Sequence, residues 1–183
     1  MRSIPTLSRR CALAAAAVGL SLLAACTTTD RGRAPTLERQ ATWAVLPFAN
    51  NTETPLAGNR AEAIAEALLH AQGVGRVLRH QPTSQQEALF DAGDVKRQQE
   101  ALAWAREQKA RYALTGAVDE WRYKVGVDGE PAAGVTLRII DVTTGDTLWT
   151  GAGGKSGWSR EALSAVGQKL IRDLLGTGLS SLR

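Results

Sequence analysis

The sequence has few of the residues that bind metals or staple small domains. Its 183 residues include two cysteines, Cys11 and Cys26, and two histidines, His70 and His80. Two cysteines cannot form a disulfide framework, and both fall within the first 26 positions. The histidines are ten residues apart, with no cysteine or clustered carboxylate at ligand spacing, so neither a metal nor another cofactor is expected. Acidic residues are absent before Asp30. Without Arg2, Arg9 and Arg10, 19 basic residues face 18 acidic ones, so the chain beyond its N-terminal segment is nearly neutral. A nearly neutral chain lacks the global basic field of a nucleic-acid binder. Tyrosine and phenylalanine are scarce, two each, against five tryptophans.

Catalytic patterns are missing too. Asp119 and Glu120 are adjacent in a strand-like stretch and so should point to opposite faces, which prevents them from flanking one substrate bond. No Gly-flanked serine nucleophile with its partners occurs. Gly154-Lys155-Ser156 lies where a phosphate loop would, but Trp149 stands where the first glycine is needed. A non-enzymatic protein is expected.

Arg9-Arg10 followed by the apolar run from Cys11 to Ala25 has the form of a secretory signal, too short to span a bilayer as a helix. It ends in Leu23-Ala24-Ala25-Cys26, which resembles the lipobox of bacterial lipoproteins. That resemblance implies cleavage of residues 1–25 and acylation of Cys26 with palmitate-type chains, enough for stable anchoring. Thr27 follows, not the aspartate that retains lipoproteins in the inner membrane, so the outer membrane is the expected site. Residues 26–40 lack periodicity and read as the lipidated cysteine and a tether, about 50 Å at full extension. The remainder, 41–183, reads as one periplasmic domain.

Trp43–Phe48 is a short apolar run suited to a buried strand. Ala61, Ile64, Ala65, Leu68 and Leu69 mark one face of a helix ended by Gly73. Val74–Leu78 reads as a second strand, completing a βαβ unit. A weaker helix is predicted over Asp94–Ala110, with strands at Tyr112–Val127, Val135–Val142 and from Thr147 to Gly151. Turn signals at Asp128-Gly129 and Thr144-Gly145 join the three into an antiparallel meander. Leu163, Val166, Leu170, Ile171 and Leu174 define a C-terminal helix that begins after Ser159. The predicted fold is α/β: a single domain with helices packed on a mixed sheet.

Two aromatic residues admit two readings. With Ser159 as N-cap, Trp158 and Leu163 would form a hydrophobic staple. Alternatively, Trp158 is an exposed indole at a membrane interface. Trp149 reads as sheet packing, with membrane contact as its second role. Asp128 serves an Asp-Gly turn without any ligand. Repeated around a ring, however, such a carboxylate would line a cation-selective mouth.

Further blocks carry a resemblance: Trp43-to-Asn51 (WAVLPFANN), Ala113-Leu114-Thr115-Gly116, Glu120-Trp121-Arg122-Tyr123, Leu137-to-Gly145, Leu148-Trp149 and Ser156-to-Glu161 (SGWSRE). Together they resemble the PelC family, outer-membrane lipoproteins of the Pel exopolysaccharide export system. The first block also resembles the curli secretion lipoprotein CsgG and the penicillin-binding-protein activator LpoB. The resemblance implies a dodecameric periplasmic ring under the outer membrane, passing a cationic amino-sugar polymer to an outer-membrane β-barrel. By position it assigns Asp128 to the acidic funnel, with Asp119 and Glu130 as further lining. Trp158 goes to the membrane face, with Trp149 second. An LpoB-like activator of a peptidoglycan synthase is the alternative. Activators of that type tend to carry a long tether, which this chain lacks.

Overall fold

The structure, a computed structural model, describes residues 27–81, 94–126 and 129–183. Strands β1 (Thr27–Arg31), β2 (Trp43–Asn50), β3 (Val77–Arg79), β4 (Tyr112–Tyr123), β5 (Pro131–Asp141) and β6 (Thr147–Ser156) form one sheet in the order β1-β6-β5-β4-β2-β3. Helices α1 (Ala57–Ala71), α2 (Asp94–Glu107) and α3 (Leu163–Gly178) pack on it. β2 is parallel to β3 and β4, which gives the βαβ unit, and β4, β5 and β6 form the antiparallel meander. The sheet is therefore mixed, and the fold is α/β as the periodicities predict.

Layering follows from the side chains. β2 is apolar on both faces because helices cover both. Trp43, Val45 and Phe48 meet the α1–α3 side, while Ala44 and Leu46 meet α2. α1 buries Ala57, Ala61, Ala65, Leu68 and Leu69, and α3 buries Val166, Leu170, Ile171, Leu174 and Leu175. The smaller second core holds Ala44, Leu46, Ala101, Ala105, Ala113 and Val142. Its alanines let α2 sit close to the sheet over a narrow strip, so among the described residues much of that face is left uncovered.

One irregularity in β2 is repaired by a buried acid. Pairing with β4 skips between Val45 and Phe48, around Pro47, whose nitrogen has no hydrogen to donate. Glu62 of α1 accepts the Phe48 N–H at 3.0 Å, and Thr115 Oγ1 donates to the Pro47 carbonyl at 2.8 Å. Burial raises the Glu62 carboxyl above its ordinary pKa, against the lowering effects of the Phe48 amide and Arg79. Without these side chains the bulge would leave buried backbone groups unpaired.

The predicted tether is partly structured. Thr27–Arg31 is an edge strand, antiparallel to β6 with Thr27 opposite Lys155 and Arg31 opposite Gly151. Leu37 is fully buried and bridges Leu182, and Arg183 N–H donates to the Leu37 carbonyl at 3.0 Å. Strand extents also differ from prediction. β3 covers three residues, β4 ends at Tyr123, and β6 runs on to Ser156.

Two packing features yield tests. Gly167 of α3 lies against the Trp121 ring, and a Cβ there would collide with it. Gly→Ala within a helix ordinarily stabilises by about 1 kcal/mol. Here the overpacking penalty, about 1–3 kcal/mol, should dominate. Gly167→Ala is expected to lower the urea midpoint; a rise would show that the indole yields freely. Asp141, at the β5–β6 turn, accepts the Thr143 and Thr144 N–H groups and pairs with Arg111 Nη1 at 2.5 Å. The Arg111 hydrogen bond holds its carboxyl below the ordinary 3.8, outweighing burial. A depressed folded pKa stabilises above the unfolded value and is lost as pH falls through the folded one. Asp141→Asn should therefore destabilise the protein at neutral pH, with the gap to wild type closing as pH falls below the ordinary carboxylate range. An equal gap at both pH values would contradict the assignment.

Candidate functional site

Exposed large apolar side chains gather at one end of the sheet. Trp158 is 60% exposed, Leu56 58%, Tyr123 52%, and Val125 fully exposed. Trp158 follows the end of β6, where Gly157 N–H donates to the Pro131 carbonyl at 2.8 Å. Tyr123 and Val125 lie at the facing end of β4, tied in by Lys124 Nζ donating to Ser156 Oγ at 2.7 Å. The β2–α1 loop carrying Leu56 reaches the same end, where Thr54 Oγ1 donates to the Trp121 carbonyl at 2.5 Å. β1 also begins here, since Thr27 is level with Lys155.

Leu56 carries a second signal. It precedes α1 at φ 59°, the left-handed region that a leucine adopts only at a cost. A bulky apolar residue held in that conformation and left more than half exposed packs little against the described residues. Periodicity reasoning missed it, since it lies one residue before the first helical turn.

Trp158 is not a staple. α3 begins at Leu163 with Ala162, not Ser159, at the N-cap position, so Leu163 opens the helix and does not occupy its fourth position. The Leu163 N–H donates to Tyr123 Oη at 3.2 Å, which supplies the cap that Ser159 was expected to provide. Glu161 fastens the intervening turn to the helix through Lys169 Nζ at 2.5 Å. That hydrogen bond holds the Glu161 carboxyl below its ordinary range. Trp149, the second aromatic candidate, is 2% exposed. Its indole nitrogen donates to the Gly32 carbonyl at 3.1 Å, and its ring packs against Gly178 of α3. Its environment is core, and it cannot meet a membrane from there.

The acidic candidates separate. Asp119 is exposed on β4 and accepts from Asn51 Nδ2 at 2.9 Å and Thr136 Oγ1 at 3.0 Å. It occupies a register shift between Val118 and Glu120, so strand alternation breaks there. Trp121 consequently turns into the core beneath α3 and does not share a face with Asp119 as simple alternation predicts. Glu53, Asp119 and Glu120 share a cleft of about 660 Å³ with Thr52, Thr54, Pro55 and Arg122. Arg122 pairs with Glu120 at 3.0 Å, leaving the cleft net acidic. Glu130 is exposed at the start of the β5 arm. Asp128 and Cys26 lie outside the described residues. His70 is exposed on α1, and His80 sits edge-on to Trp104 at 5.1 Å, with burial lowering its pKa. No group of three His, Cys, Asp or Glu side chains suited to a metal occurs among the described residues. No helix among them is long and apolar enough to cross a membrane.

A mixed six-stranded sheet with helices on both faces defines an α/β domain of a kind seen in bacterial lipoproteins. Lipoprotein GNA1162 from Neisseria meningitidis shares this fold at 15% identity, covering 74% of this chain and 96% of that one with a TM-score of 0.51. No family model and no curated protein matches the chain. Among solved structures, a PelC dodecamer from Paraburkholderia phytofirmans matches at 43% identity, covering 86% of this chain and 99% of that one with a TM-score of 0.72. A dodecamer of a single-residue variant of the same PelC matches at 43% identity with a TM-score of 0.71, covering 86% and 98%. The chain belongs to the PelC family.

The two tryptophans should behave oppositely on truncation. Trp149→Ala empties core space and is expected to cost about 3–5 kcal/mol. Trp158→Ala should alter stability by less than about 0.5 kcal/mol, as surface substitutions do. Urea denaturation of both variants decides this; a large loss from Trp158→Ala would restore a packing role.

Proposed function

We propose that this chain is a lipid-anchored outer-membrane protein facing the periplasm, and that it assembles into a homo-oligomeric ring. The ring guides a cationic, Pel-like exopolysaccharide towards an outer-membrane β-barrel during biofilm formation. The reading is non-enzymatic. Its strongest support is the 43% identity to PelC over nearly all of that chain. The geometry agrees with it. A lipid on Cys26 would leave the domain next to Thr27, at the end of the sheet that carries Trp158, Tyr123, Val125 and Leu56. An indole and a phenol suit the membrane–water boundary, with apolar bodies and polar tips.

The anchor also bears on the alternative. A synthase activator must reach through the peptidoglycan on a long free tether. Here Thr27–Arg31 is tied to β6 directly after the anchoring residue, so the domain stays near the bilayer.

Charge supplies the guiding step. Asp119, Glu53 and Glu130 offer carboxylates with no cationic partner among the described residues, and by its position in the sequence between β4 and β5 Asp128 would add another. One such contact with an ammonium is worth about 1 kcal/mol at 4 Å in water. Salt screens it beyond about 8 Å. Repetition around a narrow mouth makes the fields overlap, and a polymer of many charges meets them in succession.

Supplying the full chain to a bacterium whose own PelC is deleted should restore polymer export. Asp128→Asn keeps a turn-forming side chain and removes the charge; it should lower export about fivefold, the equivalent of about 1 kcal/mol. Cys26→Ser should abolish both acylation and export. Export by Asp128→Asn equal to wild type, with Asp128→Ala failing, would show that the residue serves the turn alone.

A further inference from the structure

β1 is joined to the domain mainly by its backbone. It ends the sheet, so its ladder bonds among the described strands all go to β6. Thr27, Thr28, Asp30 and Arg31 are exposed, and Thr29 is half-buried. Their partners on β6 are Lys155, Gly154, Gly153, Ala152 and Gly151. Cross-strand side-chain pairs stabilise a ladder beyond its backbone bonds, and a glycine supplies none. β4 and β5, by contrast, pair Leu114 with Ile139 and Val118 with Val135, all buried. Arg31 Nη1 adds an exposed hydrogen bond to Thr177 Oγ1 at 2.6 Å.

Directly after β1 the attachment changes character. Gly32 N–H donates to the Thr150 carbonyl at 2.9 Å, and the Gly32 carbonyl accepts the buried Trp149 indole at 3.1 Å. Ser181 Oγ donates to the Pro35 carbonyl, and Leu37 is fully buried. Arg39 N–H donates to the Arg183 carbonyl at 2.5 Å. A weakly held strand therefore leads into a segment fastened to both the sheet and the C-terminus. Opening of β1 stops at Gly32, because going further would uncover the Trp149 indole and then Leu37.

We propose that β1 is a releasable strap: it peels from β6 as far as Gly32 while the rest of the domain stays folded, it is undocked while the chain is processed at Cys26, and it docks afterwards. The inference rests on the lipoprotein reading above and adds a conformational step to it. Cys26 directly precedes Thr27 in the sequence, and Thr27 is already paired with Lys155. An enzyme that cuts or acylates the chain at Cys26 must grip the residues around it as an extended strand, through their main-chain groups. In the docked state those groups on one edge of β1 are committed to β6. The two partners cannot use them at once. Released to Gly32, the six residues Cys26–Arg31 reach about 20 Å from the sheet. Docking then takes up this slack and draws the lipid to the end that carries Trp158 and Tyr123.

Hydrogen exchange on the full, lipidated chain in detergent reads the peel. The rate at which pulse-labelled precursor becomes the cut, acylated form reads its use. Amides of residues 27–31 should exchange about a hundredfold faster than those of 135–139, at a rate that low urea leaves unchanged. Gly154→Thr puts a β-branched side chain opposite Thr28, where a Cβ meets nothing closer than the Ala133 carbonyl oxygen at 4.0 Å. It should slow exchange of 27–31 about fivefold and slow processing by a similar factor, with 135–139 unchanged. Residues two apart share a hydrogen-bonding edge, so Asp30→Pro removes a donor from the edge that Gly32 uses. It should speed exchange of 27–31 and leave processing no slower than wild type. Equal exchange of the two segments in wild type overturns the peel without recourse to any variant. Slower exchange in Gly154→Thr with processing at the wild-type rate, or slower processing in Asp30→Pro, overturns the link to Cys26 and leaves the lipoprotein reading standing. A wild type neither cut before Cys26 nor acylated overturns that reading and the role of the strap together.

Discussion

The antiparallel pairing of Thr27–Arg31 with Gly151–Lys155 is the constraint from which the arrangement of the whole molecule follows. It extends the meander by one strand and gives β6 a neighbour on each side. It also carries the chain past Gly32, whose carbonyl accepts the Trp149 indole, to Leu37 in the core. The consequence at the other end is positional. Thr27 has little freedom relative to the sheet, because several ladder hydrogen bonds would have to open before it could move far. On the proposed reading, a lipid joined to the chain just before Thr27 would hold the domain in a fixed attitude, as a free tether would not.

Most of the layer structure was legible because apolar periodicity reports burial directly. Ala61, Ala65, Leu68 and Leu69 recur on the α1 face, and Val166, Leu170, Ile171 and Leu174 on the α3 face. Alternation in Val135, Leu137 and Ile139 likewise marks the buried side of β5. β1 was not legible for the same reason. Thr27-Thr28-Thr29-Asp30-Arg31 buries little on either face, so its pattern is that of a polar linker, and only the unpaired edge of β6 makes it a strand. The end of β6 was hidden too, since Gly151, Gly153 and Gly154 have weak strand propensity and are held by partners on both sides.

The site was read less well than the fold, and each miss has a local cause. Simple strand alternation would put Asp119 and Trp121 on one face, but the register shift at Asp119 breaks it, leaving the carboxylate in solvent and the indole beneath α3. A bulge of that kind leaves no composition signal. Trp149 stands between Leu148 and Thr150 and Trp158 between Gly157 and Ser159, and neither setting by itself fixes how deeply the ring is buried. What the tertiary fold lays over them decides it: α3 covers the first, and the turn before α3 exposes the second. The capping motif at Ser159 failed because Tyr123, remote in sequence, caps the helix instead.

These placements bear on how a nearly neutral domain could handle a charged polymer at a membrane. An apolar contact with lipid and an acidic contact with a cation make opposite demands. Lipid contact favours exposed rings, whereas carboxylates resist leaving water. Here the two lie close in the fold but on distinct groups of side chains. Tyr123, Val125 and Trp158 lie at or just past the strand ends, while Asp119 and Glu53 sit in a cleft where Asn51 and Thr136, neutral donors, orient the Asp119 carboxylate without neutralising it. Two hydrogen bonds to Asp119 leave its charge intact for a ligand, which a salt bridge such as that between Glu120 and Arg122 does not. In the proposed ring, therefore, the useful charge is the part the single chain leaves unpaired, and it depends on geometry more than on the net count of acids and bases.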